Sequence, residues 1–107
     1  MIVYEVNLWI KNNIFSDYQS WLNEHILEML QFQGFIEAQL LSDTDDIDDH
    51  DQDNKKLTVQ YLIESLKDLK HYFDHNASSM REKAIEKFGD RFKAERRILD
   101  VQHFYSK

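Results

Sequence analysis

The chain of 107 residues has a length typical of one domain around one hydrophobic core, and 42% of its residues are hydrophobic. It contains no cysteine, which excludes disulfides, thiolate nucleophiles and thiolate metal sites. Its formal net charge is −7, but seven of the 20 acidic residues are aspartates between positions 43 and 54, and the remaining acidic residues balance 13 basic ones. A body this close to neutral lacks the basic face that nucleic acids and anionic membranes require, so we expect neither as a partner.

The first ten residues predict a β-strand. The stretch "IVYEVNLWI" places Ile2, Tyr4, Val6, Leu8 and Ile10 on one face and Val3, Glu5, Asn7 and Trp9 on the other. An alternation with period two is the pattern of a strand in a sheet. No basic segment precedes it, and it is neither a signal peptide nor a membrane span. We therefore expect a cytoplasmic protein.

Two helical segments are predicted from apolar residues at helical spacing and from the residues at their ends. Ser16 and Gln19 form a capping box that predicts the start of the first helix, and Gly34 suits its end. Ser65 begins the second helix, which continues to Gly89.

The second helix is expected to break or kink, because Ser79 and Glu82 form a fresh capping box inside it. Further strands are predicted at residues 35–42, 56–63 and 91–104. In the last strand the alternation fails at Arg96 and Arg97, where a bulge would exchange the two faces.

The resulting order is β-α-β-β-α-β, which predicts an α+β fold of the ferredoxin-like type over residues 1–107. Its four-stranded antiparallel sheet carries both helices on one face, and all connections are short and right-handed. The aspartate-rich segment then becomes a hairpin loop at 43–54.

A calcium site in this loop would use Asp49, Asp51 and Asp53 as the first oxygen ligands of an EF-hand. The position of the bidentate glutamate is then Gln60, which supplies no carboxylate and lies within a predicted strand. We favour a hairpin tip kept extended by charge repulsion, and we expect no metal site.

The uncovered face of the sheet has three interpretations. An RNA-binding platform would turn Tyr4 towards RNA and bury Glu5 without a partner, at a cost of several kcal/mol. A solvated face is tolerated by antiparallel sheets. The third, which we favour, is burial against a second copy, giving a dimeric α/β barrel with a polar interior in which Arg97 is the counter-ion of the carboxylates.

Several motifs together resemble a small bacterial family known as domain of unknown function 4286. They are "MIVYEVNL", Trp21 and His25 in "W-x-x-x-H", "TVQY" at 58–61, "YFDH" at 72–75 and "FGDRFKAERRIL" at 88–99. The resemblance covers nearly the whole chain outside the aspartate loop and the last few residues. It implies a ferredoxin-like fold and a dimeric α/β barrel, and it brings no established activity. Two departures are the long acidic loop and residues 76–78, where the family often has a proline.

The candidate ligand-binding residues combine the uncovered face with two histidines. They are Glu5, Asn7, Trp9, Glu37, Gln39, Gln60, Arg97, His25 and His75. His25 lies on an apolar helical stripe, either as a core histidine or as a pocket residue. His71 and His75 have the spacing of two metal ligands on one helical face, but they project away from the core stripe and are better explained as solvent-facing.

Three functions remain open. The leading hypothesis is a homodimeric small-molecule binding or regulatory module that holds a small polar or aromatic ligand and needs no cofactor. The second is an enzyme of the cofactor-light or haem-degrading monooxygenase type, since Asn7 and His75 loosely match the residues of the haem-degrading arrangement. The third is a structural dimer that meets a basic protein partner through its acidic loop. No Ser-His-Asp order or glycine-rich phosphate loop assigns a catalytic residue.

Overall fold

The computed structural model describes residues 1–43 and 53–107. Its elements follow the order β-α-β-β-α-α-β. They are strands β1 (Ile2–Lys11), β2 (Phe35–Ser42), β3 (Asn54–Ile63) and β4 (Phe92–Asp100), and helices α1 (Phe15–Met29), α2 (Leu66–His75) and α3 (Ala77–Phe88). Most of the predicted aspartate loop lies outside the described residues, so the calcium and hairpin-tip interpretations stay predictions.

The four strands form one antiparallel sheet in the order β2-β3-β1-β4. The helices pack on one face of this sheet, and we call the opposite face the open face. This arrangement confirms the predicted α+β, ferredoxin-like fold. In the part of the chain that the structure describes, no helix has the length and apolar character needed to cross a bilayer.

The predicted bulge in β4 is wrong. The register between β1 and β4 runs from the Ile2–Asp100 pair to the Ile10–Phe92 pair without a shift. Regular alternation therefore places Arg97 on the open face and Arg96 on the helix side, where an edge strand leaves a long side chain room to reach solvent. The last strand also ends at Asp100 rather than near residue 104.

A register shift occurs instead in β2, between Phe35 and Glu37. The extra residue of a bulge is left unpaired in the ladder. Ile36, which a strict alternation with Ala38 and Leu40 would place on the core face, is accordingly 47% exposed, whereas Phe35 is buried. Beyond the bulge, Ala38 and Leu40 pack against the core.

The core fills the space between the sheet and the helices. Apart from Phe35, its buried strand residues follow a regular alternation, and they include Ile2, Tyr4, Leu8 and Ile10 of β1 and Leu57, Val59, Tyr61 and Ile63 of β3. Aromatic rings meet at its centre: Tyr4 stacks on Tyr61 at 6.0 Å between centroids and meets Phe73 edge-on at 5.4 Å. Such pairs add to the stabilisation from buried apolar area.

The second helical segment divides at Asn76, as a break was predicted. Ser65 caps α2 as expected, since its Oγ accepts a hydrogen bond of 3.2 Å from the backbone N–H of Asp68. The capping box at Ser79 does not form, because α3 already begins at Ala77 without a side-chain cap. Ala77 and Met80 are both buried, so the chain must be helical from Ala77 to place them on the same side.

The start of α1 also differs from the prediction. A 3-10 turn over Asn12–Ile14 leads directly into the helix at Phe15, and no side chain caps it. The backbone N–H of Phe15 donates to the carbonyl of Asn12, so a continuous turn satisfies the donors that the Ser16 capping box was expected to satisfy. The predicted capping box at Ser16 is therefore wrong.

Candidate functional site

The predicted polar residues of the open face meet around Glu5. The register places Glu5 opposite Gln60 of β3 and Arg97 of β4. Its carboxylate accepts hydrogen bonds from Gln60 Nε2 at 2.9 Å, from Asn7 Nδ2 at 3.0 Å and from Arg97 Nε at 2.5 Å. Glu5 is only 5% exposed although no helix covers it, because these neighbours surround it.

The network continues to both sides of this centre. Asn7 Oδ1 accepts from Thr58 Oγ1 at 2.8 Å, and Gln60 Oε1 accepts from Gln39 Nε2 at 2.8 Å. The five predicted residues Glu5, Asn7, Gln39, Gln60 and Arg97 are therefore linked through hydrogen bonds. A polar network whose members satisfy one another is rigid, and it offers few free groups to a ligand.

The carboxyl of Glu5 stays ionised. The hydrogen bond from Arg97, followed by those from Gln60 and Asn7, lowers the pKa of Glu5 to about 2 against the opposing effect of burial. Glu5 in turn raises the pKa of Arg97. A carboxyl held so firmly in its charged form is unsuited to act as a general acid or base near neutral pH.

Two further predicted residues lie on the same face outside this network. The ring of Trp9 has Lys56 Nζ at 5.4 Å and Lys93 Nζ at 6.0 Å from its centroid. Glu37 is exposed and borders a groove of about 300 Å³ beside Phe104. The open face thus carries cations at one end and a groove with both polar and apolar walls at the other.

A larger cavity, of about 580 Å³, lies on the other side of the sheet, between the strands and helices α1 and α3. Its walls are mostly apolar and aromatic. They are built by Tyr4, Val6, Leu8, Tyr18, Trp21, Leu22, His25, Met29, Val59, Tyr61, Tyr72, Met80, Arg81, Ala84, Ile85, Gly89, Asp90, Phe92, Ala94 and Arg96. Its size and lining are those of small-molecule sites in proteins.

His25 is the predicted candidate that lines this cavity. Its ring stacks on Trp21 with centroids 4.6 Å apart and an interplanar angle of 18°. Its Nδ1 is buried and has no hydrogen-bond partner within residues 1–43 and 53–107. Burial lowers the pKa of His25 to about 4, so the imidazole is neutral at pH 7 and has one nitrogen that can donate and one that can accept.

The cavity also receives two arginines that sequence patterns did not single out as ligand residues. The Nη2 of Arg81 donates to the Tyr4 hydroxyl at 3.4 Å, and Arg96 extends from β4 on the helix side. Neither forms a salt bridge with any carboxylate in the described segments. Asp90 is the acidic residue of the lining, so the cavity carries a net positive charge.

Three tyrosines contribute neutral hydroxyl groups. Burial raises the pKa of Tyr72 to about 12, and it raises the pKa of Tyr18 and Tyr61 further. All three remain protonated at neutral pH and can donate a hydrogen bond.

His75 does not reach either site. It is exposed on α2 with its ring centroid 4.3 Å from that of His71. Asn7 lies on the open face, so the sheet separates it from His75 and the structure does not bring these two residues together. Within the described ranges, His, Cys, Asp and Glu side chains form no group of three that could hold a metal ion.

The sequence over residues 1–102 matches the family model described as "Domain of unknown function (DUF4286)". The chain belongs to this family. The resemblance inferred from the motifs is thereby confirmed, and the match includes every residue of the open-face network and of the cavity. No curated protein sequence matches this DUF4286 chain significantly.

Solved structures share the fold of this DUF4286 chain at low sequence identity. A proposed antibiotic biosynthesis monooxygenase from Deinococcus radiodurans is similar with a TM-score of 0.75 and 7% identity, over 100% of this chain and 98% of that one. SnoaB, a cofactor-independent oxygenase from Streptomyces nogalater, has a TM-score of 0.68 and 12% identity, over 99% and 98% of the chains. An ethyl tert-butyl ether D family protein from Bacillus halodurans has a TM-score of 0.64 and 10% identity, over 95% and 100%. The TM-scores establish a common fold, whereas sequence identities this low leave the activity open.

Proposed function

We propose that this DUF4286 chain is a homodimeric small-molecule-binding protein whose ligand occupies the cavity between the sheet and helices α1 and α3. The observation that carries the proposal is His25, which lines an aromatic cavity of about 580 Å³ while its buried Nδ1 has no partner in the described residues. Buried polar atoms are nearly always hydrogen-bonded, so an unsatisfied nitrogen at a cavity wall indicates a missing partner. A ligand would supply it.

The open face, which the sequence suggested as the ligand site, fits assembly better than binding. Glu5, Asn7, Gln39, Gln60 and Arg97 already satisfy one another, and a ligand would have to break that network. The face is apolar on one side of this network, where Val3 is flanked by Leu62 and Leu99 across the strands. A paired polar centre beside an apolar patch suits burial against a second copy.

A charge introduced at Leu62 tests the dimer. We expect the protein to elute as a dimer and Leu62→Arg to reduce it to the 13.0 kDa monomer, because an unpaired guanidinium would be buried in the interface. The measurement is light scattering coupled to size-exclusion chromatography. Leu27→Arg on α1, which is 64% exposed away from the sheet, is the control and should leave the dimer intact. A wild-type monomer at high concentration would contradict the proposal.

Filling the cavity tests the ligand site. Ala84 of α3 and Ala94 of β4 line it from opposite walls, and Ala84→Phe or Ala94→Phe places a ring inside it. We expect either variant to lose at least about tenfold in affinity for compounds found by thermal-shift screening of aromatic acids and quinones. Glu86→Phe, on the exposed side of α3, should bind as the wild type does. Hits whose affinity both filled variants retain would place binding elsewhere.

An oxygenase is the second candidate, favoured by the fold shared with SnoaB, a cofactor-independent oxygenase. The same cavity would hold its substrate. Oxygen consumption with a bound hydroquinone, absent in Ala84→Phe, would support catalysis, whereas binding without turnover supports a binding or regulatory module. If no compound binds, the remaining interpretation is a structural dimer that meets a protein partner.

A further inference from the structure

The positive charge of the cavity points to an anionic ligand. Arg96 occupies a position in β4 that alternation directs to the helix side, beside Val6 of β1. Beside the larger effect of burial, the positive charge of Arg96 lowers the pKa of Tyr18, His25 and Tyr72. Arg96 lines the apolar cavity at its exposed edge and has no carboxylate partner in the described part of the chain, so its guanidinium is a site for a planar, two-oxygen anion such as a carboxylate.

Arg81 supplies a second cation from α3, on the opposite wall. Its guanidinium donates a hydrogen bond to the Tyr4 hydroxyl and forms a cation–π contact with Phe73, with Cζ 5.9 Å from the ring centroid. Both contacts leave guanidinium donors for another acceptor, because the group carries five N–H donors. Glu28 and Lys83 also influence the pKa of His25, in opposite directions. They neutralise each other in a salt bridge of 2.5 Å between Nζ and Oε1.

The unpaired Nδ1 of His25 offers a ligand a second polar contact, and the hydrogen-bonding capacity of the neutral imidazole indicates that the ligand group is a hydroxyl. Either tautomer of a neutral imidazole is matched by a hydroxyl, because that group both donates and accepts. A charged ligand amine would serve only one tautomer, because an ammonium group donates and does not accept, and the two arginines would repel it. Between the polar points the walls include the aromatic rings of Tyr18, Trp21 and Phe92, and the rings of Tyr18 and Phe92 meet at a tilt with centroids 5.1 Å apart. Aromatic rings in a cavity wall favour an aromatic ligand, which can meet them in offset-stacked or edge-on contact.

We propose that the ligand is a hydroxyaryl carboxylate, with its carboxylate at Arg96 and Arg81, its ring between the aromatic walls and its hydroxyl at His25 Nδ1. This inference rests on the proposed binding function and specifies the ligand class of that cavity.

Three related probes test the two polar contacts separately: 6-hydroxy-2-naphthoate has both groups, 2-naphthoate lacks the hydroxyl and 2-naphthol lacks the carboxylate. The chain contains two tryptophans, so Trp9→Phe leaves Trp21 at the cavity as the only indole reporter of binding. Titrations followed by Trp21 fluorescence in this background give the affinities. We expect 6-hydroxy-2-naphthoate to bind at least about tenfold more tightly than either analogue.

Variants assign each contact to a residue. Arg96→Gln should weaken both carboxylates about tenfold and change 2-naphthol less than about twofold. His25→Phe keeps a ring against Trp21 and should weaken 6-hydroxy-2-naphthoate about five- to tenfold while 2-naphthoate is unchanged. Lys93→Gln makes the same change of charge on the open face of β4 and serves as the control, with wild-type affinities expected for all three probes.

The outcomes separate this inference from the function on which it rests. Equal affinities for the three probes, or an equal effect of Arg96→Gln on 2-naphthol and the carboxylates, would overturn the ligand class while cavity binding stands. The same holds if none of the three binds but another aromatic compound does and Ala84→Phe abolishes its binding. If no compound of the whole screen binds, the proposed function fails and the ligand class fails with it.

Discussion

Glu5→Gln is expected to lower the free energy of unfolding by about 2–3 kcal/mol. The carboxylate of Glu5 accepts hydrogen bonds from three side chains, and a glutamine has only one side-chain oxygen to offer. Its amide N–H groups would also face the donors of Arg97 or Asn7. In a single chain Arg97 is 63% exposed and remains hydrated when it loses its partner, which keeps the loss of stability within that chain below that of a fully buried ion pair. Urea unfolding of both proteins at pH 7 measures the difference.

The matched control is Glu95→Gln on the same face. Glu95 lies 3.4 Å from Lys93, but both side chains are largely exposed, at 60% and 71%. Exposed pairs of this kind contribute at most about 1 kcal/mol, so the control should lose no more than a few tenths. An equal loss in the two variants would show that the network around Glu5 adds nothing beyond an ordinary surface charge.

The effect of Glu5→Gln should depend on pH in a definite direction. The pKa of Glu5 falls from its ordinary value of 4.5 to about 2 on folding, so folding favours the ionised carboxylate. Its contribution is therefore complete above pH 4.5 and is lost as the pH falls through about 2. The stability difference between wild type and Glu5→Gln should be constant from pH 7 to 5 and shrink steadily at pH 4, 3 and 2. A difference independent of pH would contradict the ion pair.

The ion pair itself was predictable from the sequence, because it follows from alternation alone. Alternation with period two places Glu5 on the sheet face opposite to that of the core residues Tyr4 and Val6. A buried carboxylate on that face needs a cation from a neighbouring strand. Arg97 was the expected partner, and the structure confirms the pair. The prediction was wrong for the neighbouring residue, Arg96. The two adjacent arginines were explained by a bulge, whereas the strand is regular and Arg96 lies on the helix side.

The cavity was not predictable, because periodicity gives the face of a residue and not the distance between two packed layers. The apolar stripe of α1 correctly predicted that Trp21, Leu22 and His25 face the sheet. A helix packed against a tightly filled core would show the same sequence pattern. The available signals were polar residues in apolar positions, namely His25 on α1 and Arg96 on β4. His25 was singled out for that reason. Arg96 was not, because the assumed bulge had left its face undecided.

The helix ends show the same division between local and tertiary information. Ser65 caps α2 through Asp68, a bond between residues three apart that the sequence contains completely. The start of α3 is set instead by the burial of Ala77 and Met80, which only the assembled core determines. Local capping signals therefore failed where packing decided the boundary.

Gly34→Ala is expected to cost about 2–5 kcal/mol of unfolding free energy. Gly34 joins α1 to β2 with φ of +83°, a conformation that costs a residue with a side chain about 1–2 kcal/mol. A Cβ there would also collide with the side chain of Asp68, including its Cβ, which the backbone of α2 fixes in place. Relieving that overlap must shift α2 or β2, at a further cost of about 1–3 kcal/mol.

Gly89→Ala separates these two contributions. Gly89 also has a positive φ, of +61°, but a Cβ built there has no heavy atom within 4 Å. It should therefore lose only the conformational part, about 1–3 kcal/mol for a side chain at a φ of +61° and a ψ of −130°, in the same urea measurement. Because Tyr72 of α2 lines the cavity, the shift forced by Gly34→Ala should also weaken the binding of aromatic compounds. Equal losses of stability in both variants would mean that Asp68 moves aside freely, and that the contact between the α1–β2 connection and α2 does not set the position of that cavity wall.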